Sequence, residues 1–181
     1  GWEITWAETL AGVEEKRRLY AQAGYARGHR VAMLFDQRPE FFFHYYALNA
    51  LGVSVVPVNP DYRREEIRYV VEHSEASLAV AIDSRLEDMR AVTREIGGLE
   101  AVSFEHFPET LPRPLRPAQG GTPDAGTEAA LLYTSGTTGR PKGAIRNHHG
   151  AALISLVTAL DMELTRQDTA LLVMPMCHAN S

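Results

Sequence analysis

Leu131 to Gly143 reads LLYTSGTTGRPKG, and the rest of the chain is arranged around this stretch. From Thr134 to Gly143 it packs four hydroxyls (Thr134, Ser135, Thr137, Thr138), three glycines (Gly136, Gly139, Gly143) and two cations (Arg140, Lys142) into ten residues. Glycine lets a backbone come close to a ligand with no Cβ in the way. Consecutive amides in such a turn can enclose an anion. Hydroxyls add rotatable donors, and lysine adds a point charge suited to phosphate. The local chemistry is that of a polyphosphate cradle. The charge pattern agrees: Ala129 to Leu160 contains no Asp or Glu but carries Arg140, Lys142 and Arg146, in a chain of net charge −5. An anionic ligand would be drawn to this cationic island.

The stretch is neither a Walker loop, which needs G-x-x-x-x-G-K-[ST], nor G-x-G-x-x-G. Gly136 and Gly139 are three apart, and Gly143 follows Lys142. A solvated Gly/Thr hairpin loop would explain the glycines, but not four hydroxyls, a lysine and the missing acids together. Along its whole length YTSGTTGRPKG resembles the phosphate-binding signature of the adenylate-forming (AMP-binding) superfamily, which includes acyl-CoA synthetases, firefly-type luciferases and the adenylation domains of peptide synthetases.

The remaining sequence bounds the answer. At 181 residues the chain can bury one substantial core. Its 45% hydrophobic and 23% charged content is that of an ordinary globular protein. No apolar run approaches the roughly 20 residues of a membrane span. The acidic balance argues against nucleic-acid binding. A single cysteine, Cys177, rules out an internal disulfide and fits a reducing compartment, so a cytoplasmic location is expected. The start at Gly1 rather than methionine is read as the mark of a fragment.

Residues 5–23 read as a helix, with Thr5 and Glu8 as a capping box, Trp6, Leu10, Val13 and Tyr20 near one face, and Gly24 as its stop. From Arg30 the pattern becomes βαβ: a strand at 31–35, a helix from Pro39 that is apolar almost all round, and a strand at 53–58. His44, within that helix, reads as a hydrogen-bonded core histidine. An amphipathic helix follows with Ile67, Val70, Val71 and Ser74 on one face. Then come a strand at 77–82, a helix opened by a Ser84/Glu87 capping box, and a strand near 100–104. This is an α/β pattern: a largely parallel sheet with covering helices. Residues 105–127 hold five prolines and three glycines and read as an extended connector between a lobe at 1–104 and a phosphate-loop segment at 128–181. Asn147 is expected to cap a helix over 147–160, with Leu153, Ile154, Leu156, Val157 and Leu160 inward and free N-terminal amides useful near an anion. His148 and His149, in its first turn, read as exposed or capping residues. TALLVMP at 169–175 reads as a buried strand.

The resemblance implies more: the N-terminal portion of the large domain of an adenylate-forming enzyme. A carboxylic acid would attack the α-phosphate of ATP to give an acyl-adenylate and pyrophosphate. A thiol, usually that of CoA, would then displace AMP, with Mg²⁺ assisting. Thr134, Ser135, Thr137, Thr138 and Lys142 would hold the β- and γ-phosphates, and Gly136 and Gly139 would let the loop fold over them. His178 would border the acyl group and the adenylate. Pro175 and His178 match the family pattern, whereas Cys177 stands where an aromatic is common. A Cys177–His178 nucleophile is poor, since neighbours on an extended chain point opposite ways. Zinc is poor too, with no second cysteine. The stretch MPMCHAN leans toward fatty or carnitine-like acyl-CoA ligases. The family's magnesium-binding acid, ribose aspartate and adenylating lysine are not in these residues, so the fragment alone is expected to be inactive, and exposed apolar surface would favour a homodimer. Two other readings stay open: a non-catalytic nucleotide- or phosphate-binding module, and a protein-interaction domain in which the loop is idle.

Overall fold

The computed structural model describes residues 3–134 and 141–177. The chain alternates helices and strands in the order α1 (Trp6–Ala23), β1 (Arg30–Leu34), α2 (Phe41–Ala50), β2 (Ser54–Val58), α3 (Arg64–His73), β3 (Leu78–Ala81), α4 (Asp83–Ile96), β4 (Ala101–Ser103), β5 (Glu128–Thr134), β6 (Lys142–Asn147) and α5 (His148–Asp161). The strands form one sheet in the order β4-β3-β1-β2-β5-β6. All neighbours are parallel except the last pair, an antiparallel hairpin.

The apolar runs explain the centre of the sheet. Every residue of β2 and β3 is buried, as are Val31 to Leu34 of β1. Strands covered on both faces lose the in–out alternation of a half-solvated strand and become continuously apolar. α1 packs on α2 and α3 on α4. Gly12 permits the first contact, because a Cβ there would meet the ring of Phe43 at 2.6 Å. The Thr5/Glu8 capping box is formed, and Ile67, Val70 and Val71 of α3, with Ser74 at its C-cap, face the core.

His44 is a core histidine. It is 2% exposed, its Nδ1 lies 2.9 Å from the Tyr20 hydroxyl, and Phe104 and Phe107 flank it. Burial, with Lys16 nearby, drives its pKa down to about 3. The neutral ring therefore accepts the Tyr20 hydroxyl at Nδ1.

Several sequence expectations need correction. Trp6 and Leu10 are 88% and 62% exposed, so the first turns of α1 stand clear of the core, which the helix meets from Gly12 and Val13 onward. α4 starts at Asp83, and no Ser84 capping box forms; the Asp83 amide donates to the Glu105 carboxylate at 2.9 Å instead. The apolar face of α5 is exposed throughout, and none of its residues is buried. Residues 169–175 are not a strand and are exposed. An apolar run becomes a strand only where a sheet edge takes up its backbone groups, and among the described residues none does. β6 was not foreseen, since its sequence KGAIRN offers one large apolar side chain.

The connector is not a free linker. The Tyr25 hydroxyl donates to the Pro112 carbonyl at 2.9 Å, His29 Nε2 to the Arg116 carbonyl at 2.8 Å, and the Gln119 amide to the Arg27 carbonyl at 2.9 Å. Leu111 is buried. The connector thus lies along the amino ends of the strands and delivers β5 beside β2. There Arg30 grips Glu128 through two bonds of 2.7 and 2.9 Å and also donates to the Ser74 carbonyl at 3.0 Å. Burial pushes the Glu128 carboxyl up, but Arg30 and the nearby Ser54 together outweigh it, leaving it below the usual carboxylate value.

Two outcomes follow from these buried polar groups. Unfolded histidine titrates near 6.5, so below that pH the unfolded chain binds a proton that folded His44 refuses. The stability held by the neutral ring is complete above about pH 6.5 and is lost as pH falls toward about 3, at about 1.4 kcal/mol per pH unit. Urea denaturation between pH 7 and 4 measures the slope. It should be shallower by about one proton in His44→Gln, and an equal slope would place the titration elsewhere. Separately, Arg30→Met leaves a half-buried carboxylate without its partner and should cost about 1–3 kcal/mol. Adding Glu128→Leu should recover most of that loss, and a double-mutant denaturation cycle that finds the two costs simply additive would deny the coupling.

Candidate functional site

β5 ends at Thr134, β6 begins at Lys142, and the two residues are partners across the hairpin. Because β5 runs parallel to β1 and β2, this end of the hairpin stands at the carboxyl edge of the sheet, where open α/β sheets bind ligands. Both residues are exposed there. Of the residues expected to hold phosphate, these two are brought together. Ser135, Gly136, Thr137, Thr138 and Gly139 lie outside the described residues, and so does His178.

The base of the hairpin is built from rings. Tyr133 faces Gly143, where a Cβ would meet the Tyr133 ring at 3.4 Å and the Leu131 side chain at 3.0 Å. The glycine thus lets the ring lie close over β6. Burial, with Tyr69 beside it, pushes the Tyr133 phenol up to about 12, so it stays protonated. Its hydroxyl lies 2.7 Å from His73 Nδ1. The Tyr69 hydroxyl donates to the Pro141 carbonyl at 3.1 Å. Tyr69 and His73 sit four apart on α3 and stack at 5.3 Å. Sequence reading missed this pair; the available signal was two aromatic rings at helical spacing, Tyr69 partly buried and His73 exposed beside the buried face.

The start of α5 does not serve an anion at this edge. Asn147 caps the helix, accepting from the Gly150 amide at 2.8 Å. The His148 and His149 amides donate to the carbonyls of Thr127 and Ala125. Those three donors are therefore taken, and Asn147 pairs with Glu128, at the opposite end of the hairpin from Lys142. The five steps between Lys142 and Asn147 span roughly 17 Å of strand.

The chain's tail crosses the carboxyl edge. The Gln37 amide donates to the Met174 carbonyl at 2.9 Å and its oxygen accepts from the Met176 amide at 3.2 Å, while Met176 packs on the core. Cys177 follows, and burial pushes its thiol up, away from the reactive thiolate. Between α2 and α5 runs an open cavity of about 960 Å³, with Phe42, Tyr45, Ile154 and Met176 as apolar walls and Arg146 at its rim. Ser103, Asp83 and His106 form a hydrogen-bonded cluster, but Asp83 sits between the other two. A nucleophilic triad needs the histidine in the middle, so this cluster only ties β4 to α4.

An AMP-binding enzyme family model matches residues 2–181. The crotonobetaine/carnitine–CoA ligase of Proteus sp. (strain LE138) is 25% identical over 190 residues, covering 97% of this chain and 37% of that protein. The 4-hydroxybutyrate–CoA ligase 2 of Metallosphaera sedula is 29% identical over 175 residues, covering 87% and 32%. The chain thus spans about a third of the length of these relatives. Among solved structures, ATP-bound MatB from Rhodopseudomonas palustris aligns with a TM-score of 0.80 at 26% identity, covering 98% of this chain and 36% of that one. The o-succinylbenzoate CoA synthetase of Bacillus subtilis in complex with AMP aligns at 0.81 and shares the fold at 23% identity, covering 98% and 45%.

Proposed function

The chain belongs to the AMP-binding enzyme family, and from that premise we propose that it carries the phosphate-gripping part of an ATP-dependent ligase joining a carboxylic acid to coenzyme A. The carboxylate attacks the α-phosphorus of ATP, an acyl–phosphate bond forms, and the bond to pyrophosphate breaks. The thiol then takes the acyl group and AMP leaves. In this scheme residues 1–104 are the scaffold lobe, 105–127 the connector and 128–181 the segment that meets the nucleotide.

The observation that carries the reading is the pairing of Thr134 with Lys142 at the carboxyl edge of the sheet, on a segment with no acid between residues 129 and 160. Lys142 would neutralise charge on the leaving pyrophosphate, and Thr134 would donate its hydroxyl to a phosphate oxygen. On sequence grounds Ser135, Gly136, Thr137, Thr138 and Gly139 complete the cradle, and His178 borders the acyl-adenylate. The solved ATP- and AMP-bound relatives support the nucleotide. The relatives named as CoA ligases support the thiol. Mg²⁺ would assist here mainly through the substrate's phosphates, with one or two carboxylates from elsewhere in the protein. Hard cations take carboxylate oxygens; none lies on this segment, and among the described residues no cluster of three or more metal-ligating side chains is found. No step is assigned to the ion.

Lys142→Ala in the full-length protein tests the scheme. Losing a charge-assisted contact should weaken ATP use by about 1.5–3 kcal/mol, read as a fall in ATP–pyrophosphate exchange. The thermal midpoint should barely move, because Lys142 is exposed. Normal exchange would remove Lys142 from the phosphate site.

A further inference from the structure

We propose that Tyr69 and His73 of α3 are positioning residues that hold the two ends of the phosphate-binding hairpin in register. The inference rests on the ATP reading above. Their contacts with the hairpin lie one residue back from Thr134 and Lys142. Each holds a residue directly adjacent to one expected to touch phosphate. Tyr69 donates to the carbonyl of Pro141, whose next residue is Lys142. His73 is bonded to the hydroxyl of Tyr133, whose next residue is Thr134. One helix face therefore grips both strands of the hairpin at its last register pairs, Tyr133↔Gly143 and Thr134↔Lys142.

The grip is stiff for a physical reason. The two rings stack on each other with an interplanar angle of 27°, and each meets the Tyr133 ring nearly edge-on, at 82° and 80°. Such contacts add to the hydrogen bonds and restrict ring rotation. α3 is itself locked to the sheet by Ile67, Val70 and Val71, all buried. A displacement of the hairpin end would have to break two hydrogen bonds and unstack three rings. This matters because, among the described residues, β6 is the last strand of the sheet, with β5 as its one strand neighbour. Without α3, its first residue would be fixed only by the ladder to Thr134. The spacing of the two anchors therefore bears on how Thr134 and Lys142 are presented together. A small misplacement of groups that must meet phosphate oxygens together costs much of their effect.

The experiment uses the full-length protein and compares Tyr69→Phe, Lys142→Ala and the double variant by the KM for ATP, the KM for the acid and kcat in ATP–pyrophosphate exchange. Tyr69→Phe keeps the stacking and deletes one hydroxyl. It should raise the KM for ATP about two- to tenfold and leave the KM for the acid unchanged. In the double variant the two effects should combine to less than their product, because Tyr69 acts through the strand that carries Lys142. His73→Asn, which can keep a polar atom near Nδ1, should stay near wild type, whereas His73→Leu should behave like Tyr69→Phe. Circular dichroism identifies any variant that does not fold. An unchanged KM for ATP in Tyr69→Phe, equal changes in both KM values, or effects that multiply fully would overturn the positioning role while leaving the phosphate site standing. If Lys142→Ala itself leaves ATP use unchanged, the ATP reading fails and the positioning role goes with it.

Discussion

The ion pair between Arg30 and Glu128 is the joint on which this architecture depends. It connects the first residue of β1 to the first residue of β5 across the intervening β2, between residues almost a hundred positions apart. The strand ladder alone offers little there, since β5 pairs with β2 at Val55 and Ala130 only. Two further contacts help: Asn49 Nδ2 donates to the Ala129 carbonyl at 2.9 Å, and the connector ends in a turn closed by Asp124 and Thr127. A guanidinium fork suits this position because one planar group bonds both carboxylate oxygens and a third acceptor, fixing direction as well as distance. Once β5 is seated, Tyr133 and Thr134 stand at the carboxyl edge, and β6 returns against it.

Local signals and non-local requirements divide cleanly between what the sequence made legible and what it did not. β1, β2 and β3 could be read from short apolar runs, because a strand buried on both faces writes its environment into consecutive residues. The α1 cap at Thr5 and the α5 cap at Asn147 could be read because a cap is a contact over three residues. The Ser84/Glu87 pattern misled for the complementary reason: α4 starts one residue earlier, at Asp83, whose amide finds its acceptor in a distant side chain, Glu105. The apolar faces of α5 and of residues 169–175 state a preference for burial that only another surface can satisfy, and the described residues provide none. β6 was illegible because an edge strand facing solvent needs hydrogen bonds from a neighbour more than apolar side chains.

At the site the same division holds. The residue types between Thr134 and Lys142 announce phosphate chemistry, and that much is composition. Which of them face each other is set by hairpin register, a tertiary property. The α3 rings beneath were illegible as partners of the hairpin because Tyr69 and His73 satisfy an amphipathic pattern whatever they touch. Their meaning depends on the placement of Tyr133, and hence on the ion pair that seats β5.

The two ends of the hairpin are treated oppositely by the structure. At the amino edge, every first-turn donor of α5 discussed above is consumed by the turn at 125–127 and by Asn147, so the positive end of that helix dipole meets protein acceptors. At the carboxyl edge the side chains of Thr134 and Lys142 are left exposed on an acid-free segment. Charge attracts an anion over a Debye length of roughly 8–10 Å, but it does not aim one. Aiming requires donors fixed in advance of binding, and exposed side chains at a sheet margin are poorly fixed by themselves. The structure separates the tasks: Thr134 and Lys142 at the rim meet the solvent, while Tyr133 and Tyr69 one step back are partly buried and bonded, Tyr133 to His73 and Tyr69 to the Pro141 carbonyl. A rim that is soft in its side chains and firm in its backbone can admit a large polyanion and still present its donors in a constant order.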